Sequence, residues 1–188
     1  MASVREGTRH ILLVVDTQVG VLDGCWQAER VVANVAHAIE RARAQGVPVL
    51  WVQHSDDDMT IDSPAWQLAP QLVPAAGEPV IRKLFNSAFE ETTLEHALAQ
   101  RGATHIVLAG AMTNWCIRAT AHAALERGYD LTLLKDAHTT GTIALDDGTR
   151  IEAKTVVDEL NVALTWMSYP GRETTTAPAG EVDFGTAS

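Results

Sequence analysis

A carboxylate, an ammonium and a thiol are enough to build a proton acceptor, a charge partner and a nucleophile. This sequence places one of each just after an apolar run. Asp16 closes residues 11–15, Lys83 follows 80–81, and Cys116 comes soon after 106–109, inside Gly110-Ala111-Met112-Thr113-Asn114-Trp115-Cys116. A thiol in the first turn of a helix feels the positive end of the helix dipole, and a nearby ammonium further favours the thiolate. Asp16 would then take the thiol proton. Singly, each residue has a plainer reading: a strand-end aspartate usually caps a turn, a lysine is usually solvated, and an intracellular cysteine usually packs as a small hydrophobe. Their shared position favours the joint, functional reading.

Those positions depend on five apolar, β-branched runs at 11–15, 47–52, 80–81, 106–109 and 131–134. The runs are continuous rather than alternating, which suits strands covered on both faces of a parallel sheet. Between them, residues 28–45 carry Val31, Val35, Ile39 and Ala42 at helical spacing before Gly46 and Pro48. Helices are also expected from near Thr92, where Thr92 and Glu95 have capping-box spacing, and over 114–127 up to Gly128. A further capping box, Thr149 with Glu152, opens a stripe through Val156, Leu160, Leu164 and Met167 that Pro170 and Gly171 end. Residues 173–184 are read as an edge strand. Alternating strands and helices give an α/β fold, a three-layer α/β/α sandwich with a mostly parallel sheet. In such sheets ligands bind beyond the carboxyl ends of the strands, where Asp16, Lys83 and Cys116 lie.

The 188 residues, 46% of them hydrophobic, suit one domain spanning 1–188. A formal net charge of −10 disfavours nucleic-acid and anionic-membrane partners. No apolar run is long enough to span a bilayer, no leader is recognisable, and two cysteines cannot supply a disulfide framework, so a cytoplasmic location is expected. The phosphate-binding glycine patterns and the GxSxG serine elbow are missing. Residues 54–79, with the triplet Asp56-Asp57-Asp58, Trp66 and four prolines, form a connection long enough to be a lid, a binding loop or an interface arm.

Three segments carry a resemblance: Ile11-Leu12-Leu13-Val14-Val15-Asp16-Thr17-Gln18, Lys83-Leu84-Phe85-Asn86-Ser87-Ala88-Phe89, and residues 110–116 quoted above. In this order and at these intervals they resemble the isochorismatase-like cysteine hydrolases. The resemblance implies a sheet of about six strands and a catalytic triad of Asp16, Lys83 and Cys116. It also implies a cis peptide between Ala111 and Met112, and an oxyanion hole formed by the Met112 and Cys116 amides. On that reading the protein cleaves a carbon–nitrogen bond of a small amide or lactam through a Cys116 thioester, without a cofactor. The family's alternatives are vinyl ether hydrolysis, as on isochorismate, or a catalytically silent binding module of the same fold.

The nicotinamidase branch carries a metal site of aspartate and paired histidines after its second strand. Here His54 stands with three aspartates and no second histidine, so an acidic solvated loop is expected and no metal. Val19-Gly20-Val21 replaces the asparagine, aspartate, aromatic run of many relatives. Position nominates Gln18, Val21, Trp66, Phe89, Trp115 and His138 as substrate-binding residues, with aromatics suited to a planar or apolar acyl group. Phe85 and Trp166 are assigned to core or interface, and Cys25 to a spectator role. Relatives commonly assemble, so a homo-oligomer is expected.

Overall fold

The structure, a computed structural model, describes Arg5 and residues 8–185. Strand β1 (Arg9–Val15) occupies the centre, with residues 11–15 fully buried. Its side chains divide between two cores. Leu12 and Val14 pack with Val31, Val35, Ile39 and Ala42 of helix α2 (Ala28–Ala44). Ile11, Leu13 and Val15 face the other way, onto helices α3 (Leu94–Gln100), α4 (Arg118–Glu126) and α5 (Ala153–Trp166). Both faces are therefore apolar, which is why the strand runs lack alternation.

Around β1 the sheet has six strands in the order β3-β2-β1-β4-β5-β8, every pairing parallel. The others are β2 (Val49–His54), β3 (Val80–Lys83), β4 (Ala103–Ala111), β5 (Asp130–Thr139) and β8 (Thr174–Ala177). A two-strand hairpin, β6 (Ile143–Ala144) and β7 (Arg150–Ile151), precedes α5, and a short helix α1 (Val19–Leu22) follows β1. Strand order reverses between β1 and β4, leaving a crevice at their carboxyl ends. The two approach so closely there that a Cβ on Gly110, whose φ is +129°, would lie 1.9 Å from the Val15 carbonyl oxygen.

Several elements differ from the sequence expectation. Strand β3 continues through Arg82 and Lys83, and its burial alternates along its length: Arg82 points outward, as an edge strand tolerates, and Lys83 points inward to the site. The helix expected over 114–127 is a π-helical turn at Thr113–Ile117 followed by α4, because the Ile117 amide bonds five residues back to the Met112 carbonyl at 3.2 Å. Neither capping box forms. Glu95 pairs with Arg5 and Arg127, leaving the Thr92 hydroxyl to accept from the Leu94 amide at 3.2 Å. Thr149 lies in the hairpin, and the Thr142 hydroxyl accepts from the Ala153 amide that starts α5. The expected edge strand is the short β8. Phe85 and Trp166 lie outside the core, 47% and 82% exposed. Among the described residues, no helix is long and apolar enough to cross a membrane.

Candidate active site

Three adjacent strand ends and the turn after β4 bring Asp16, Lys83 and Cys116 together. Asp16 leaves β1 with φ at 50°, a conformation aspartate tolerates better than most residues, while its amide bonds the Val52 carbonyl at 2.9 Å. Lys83 ends β3 directly opposite His54 of β2. Its Nζ lies 2.7 Å from Asp16 Oδ2, with the lysine and aspartate side chains 0% and 1% exposed. It also donates to Cys116 Sγ at 3.2 Å and to the Phe85 carbonyl at 3.1 Å, and lies 3.4 Å from His54 Nδ1. A fully buried ammonium thus has both a counter-ion and neutral acceptors.

Burial raises the Asp16 pKa above the ordinary carboxylate value, with the Lys83 charge opposing the shift. It also pushes the Cys116 thiol up to about 12, helped by the neighbouring Asp16 charge and opposed by Lys83. The lowered thiol pKa expected from a helix terminus and an ammonium is therefore reversed. At neutral pH the sulfur keeps its proton. Moving that proton from sulfur to Asp16 leaves the buried cluster's net charge unchanged, so the nucleophile can be generated without desolvating another charge.

A pocket of about 430 Å³ opens over Cys116 and Asp16. Of the residues nominated to bind substrate, Val21 and Trp115 line it, Trp115 being 48% exposed. The others lie behind the wall or in the core. Gln18 is fully buried, and its Nε2 donates to the His54 and Trp66 carbonyls, both at 2.9 Å, while its Oε1 accepts from the His54 amide at 2.8 Å. Trp66 is buried, and its carbonyl also accepts from Gln53. Phe89 turns into the core beside Tyr129, ring centroids 6.0 Å apart, because it follows the turn that returns the chain towards α3. His138 is buried beneath the π turn, bonded to Thr113 and Asn161. Cys25 is not itself a lining residue; its thiol donates to the carbonyl of Val21 at 3.2 Å, and burial raises its pKa to about 11.

The wall also holds residues that sequence reasoning did not nominate: His54, Asp56, Asp58, Met59, Asn86 and Gly20. His54 ends β2, so the rule that singled out Asp16 and Lys83 applies to it once the strand is extended past Val52. Its Nε2 pairs with Asp56 Oδ2 at 3.1 Å, while Asp56 Oδ1 accepts from the Asp58 and Met59 amides. Among the described residues no three histidine, cysteine, aspartate or glutamate side chains are grouped to hold a metal ion. Gly20 marks a close approach: a Cβ there would meet Ala65 Cβ at 2.9 Å and Met59 Sδ at 3.3 Å, and its amide bonds the Ala65 carbonyl at 2.8 Å. The Ala111–Met112 peptide is cis, and Met112 lines the pocket beside Cys116.

Comparison with known proteins gives the family and the fold. Residues 10–161 match the family model of the isochorismatase domain. A streptothricin hydrolase from Streptomyces noursei is 34% identical over 144 residues, 73% of this chain and 57% of the relative. The ureidoacrylate amidohydrolase RutB of Methylobacterium radiotolerans is 30% identical over 139 residues, 57% of this chain and 54% of the relative. The chain thus spans little more than half the length of these two relatives. Among solved structures, an isochorismatase from Pseudomonas putida superposes with a TM-score of 0.80 at 27% identity, covering 93% of this chain and 91% of that one.

Proposed function

The chain belongs to the isochorismatase family, a family of hydrolases, and from that premise we propose that it cleaves a carbon–nitrogen bond of a small amide or lactam through a thioester on Cys116. The observation that carries this reading is the buried cluster at the pocket floor, with Lys83 Nζ 2.7 Å from Asp16 Oδ2 and 3.2 Å from Cys116 Sγ.

On this reading the thiol proton moves to Asp16 as sulfur attacks the carbonyl carbon, and Lys83 stabilises the negative charge during the transfer. The carbonyl electrons move onto oxygen, which the Met112 and Cys116 amides receive. Collapse of the tetrahedral species breaks the carbon–nitrogen bond, and Asp16 returns the proton to the leaving nitrogen. Water then attacks the thioester, giving a proton to Asp16. That proton passes back to sulfur as the acid departs.

The pocket's charge supports a substrate without carboxylates. Asp56 and Asp58 stand on its wall and no lysine or arginine is among the described lining residues, while at the floor Lys83 offsets the charge of Asp16. An anionic substrate would meet like charge in a partly desolvated space, whereas a neutral or cationic amide would not. The amidohydrolase name of one relative supports carbon–nitrogen cleavage, although the ureidoacrylate in that name carries a carboxylate.

The test is a panel of neutral, cationic and carboxylate-bearing amides and lactams, read by released ammonia or amine, with Cys116→Ala as the blank. Nitrogen released by the wild type alone is expected, most from the neutral and cationic members. Equal release by wild type and Cys116→Ala would overturn the reading.

A further inference from the structure

Met112, whose amide the mechanism above requires, stands between two anchors that both lead to one histidine. On its N-terminal side β4 ends in register with β5, Gly110 opposite His138 and Ala111 opposite Thr139. On its C-terminal side Thr113 opens the π turn that carries Cys116, and its fully buried hydroxyl lies 2.9 Å from His138 Nδ1. The ring of His138 is 1% exposed and does not line the pocket.

Beyond His138 the bonds continue to α5. Asn161 Nδ2 donates to the Lys135 carbonyl at 3.0 Å, which leaves Asn161 Oδ1 as the acceptor facing His138 Nε2, also at 3.0 Å. An acceptor at Nε2 assigns the ring proton to that nitrogen, so Nδ1 presents a lone pair and the Thr113 hydroxyl donates to it. Burial pushes the His138 pKa down to about 4, so the ring is neutral and the bond directions hold at neutral pH. The backbone of one residue thus fixes the segment before Met112, and its side chain fixes the segment after it.

We propose that His138 is a positioning residue for oxyanion stabilisation: the relay from the Lys135 carbonyl through Asn161 and His138 to Thr113 holds the Met112 amide in its orientation at the pocket. The proposal rests on the thioester reading given above. His138 does not touch substrate and does not set the acidity of Cys116, which burial, Asp16 and Lys83 govern. Losing the relay therefore weakens the binding of an oxyanion while leaving the thiol's own reactivity intact. A core histidine serving stability alone would lower thermal stability without that separation.

The test uses small aldehydes, which need no knowledge of the natural substrate. Propanal or benzaldehyde adds reversibly to a thiol: a sulfur–carbon bond forms, the carbonyl π bond breaks and oxygen takes the proton. The resulting hemithioacetal places its oxygen where the tetrahedral oxyanion would sit. Protection of Cys116 from iodoacetamide by each aldehyde is titrated in wild type, His138→Ala, Thr113→Val and Thr113→Ser, together with the alkylation rate without aldehyde. Protection is expected to weaken about 10- to 100-fold in His138→Ala and Thr113→Val, the scale of a mispositioned oxyanion donor. Thr113→Ser, which keeps the hydroxyl, restores it, and the aldehyde-free rate stays within about twofold throughout.

Unchanged protection in folded His138→Ala and Thr113→Val would overturn the relay while leaving the thioester reading in place. A parallel fall in protection and aldehyde-free alkylation would also overturn it, by showing that the whole turn had collapsed. Absence of protection in the wild type would remove the thioester reading, and the relay's role with it.

Discussion

Replacing Asp16 by asparagine should move the two reactivities of Cys116 in opposite directions. The substitution preserves shape and removes a charge that now opposes thiolate formation from within the same buried cluster. Lys83 would then have the sulfur as its anionic partner, 3.2 Å away. The thiol pKa of about 12 compares with an ordinary value of 9.0, and burial, a larger cause than the Asp16 charge, remains after the substitution. If the carboxylate contributes about one unit, the thiolate population below the pKa rises about 10-fold while intrinsic nucleophilicity falls about 3-fold, for a net gain of about 3-fold. If the whole excess disappears, the same reasoning gives about 1,000-fold more thiolate offset by about 20-fold in nucleophilicity, a net gain of about 50-fold. Iodoacetamide labelling at pH 8, with mass spectrometry separating Cys116 from Cys25, should therefore accelerate between these limits. Amide hydrolysis should fall by about 100-fold or more, because the proton has lost its carrier. Slower labelling of a folded Asp16→Asn protein would refute the reasoning, since it would show the carboxylate assisting ionisation in the resting state.

Lys83→Met leaves the Asp16 carboxyl buried without its cation, and loss of about 3–5 kcal/mol in denaturant stability is expected, together with hydrolysis. An unchanged urea midpoint would argue against the pairing. Because burial raises the Asp16 pKa, protonation should abolish activity on an acid limb lying above the ordinary carboxylate value near 3.8, and a kcat/KM profile that is flat down to pH 3.8 would contradict this. His105 and His138 are held down at about 4 by burial, below their usual 6.5. The unfolded chain therefore binds more protons between those values, so stability is full above pH 6.5 and falls as pH drops towards 4, by up to about 3 kcal/mol per histidine. Equal guanidinium midpoints at pH 7.5 and 5 would count against it. Gly110→Ala should prevent accumulation of folded protein, because its Cβ would overlap the Val15 carbonyl. Gly77→Ala, with φ of +87° but open space around it, should cost only about 1 kcal/mol, and comparable losses in both variants would disprove the steric argument.

The central strands and α2 were legible because burial on both faces writes itself into unbroken apolar runs and a clear helical stripe. So were the strand-end positions of Asp16 and Lys83 and the turn bearing Cys116. What resisted reading were features whose cause lies across the fold. Arg82 and Lys83 end an edge strand but look like loop residues, and Gln53 and His54 hide the end of β2 in the same way, so nothing in the sequence marks His54 as a pocket residue. The π turn has no spacing of its own, since the residues 113–117 satisfy an α-helical pattern equally well. Gln18, Phe89 and His138 lie near the site in sequence terms, yet which way each points is decided by partners 40 or so residues distant or more for Gln18 and Phe89, and by Asn161 on α5 for His138.

The irregular segment 55–79 is held to the sheet and to α1 by several bonds, among them the Gln53 side chain to the Trp66 carbonyl and backbone bonds of Val19, Gly20 and Ala69, and one side chain clasps it twice. Gln18 grips it at His54, where it departs, and again at Trp66, while the chemical groups stand on strand ends and on the turn beyond. The molecule is thereby divided into a fixed engine and an exchangeable faceplate. Insertions or replacements between those two grips would redraw the mouth of the pocket while Asp16, Lys83 and Cys116 kept their spacing. A designer wishing to change what enters would graft new sequence between His54 and Trp66 and leave the glutamine in place.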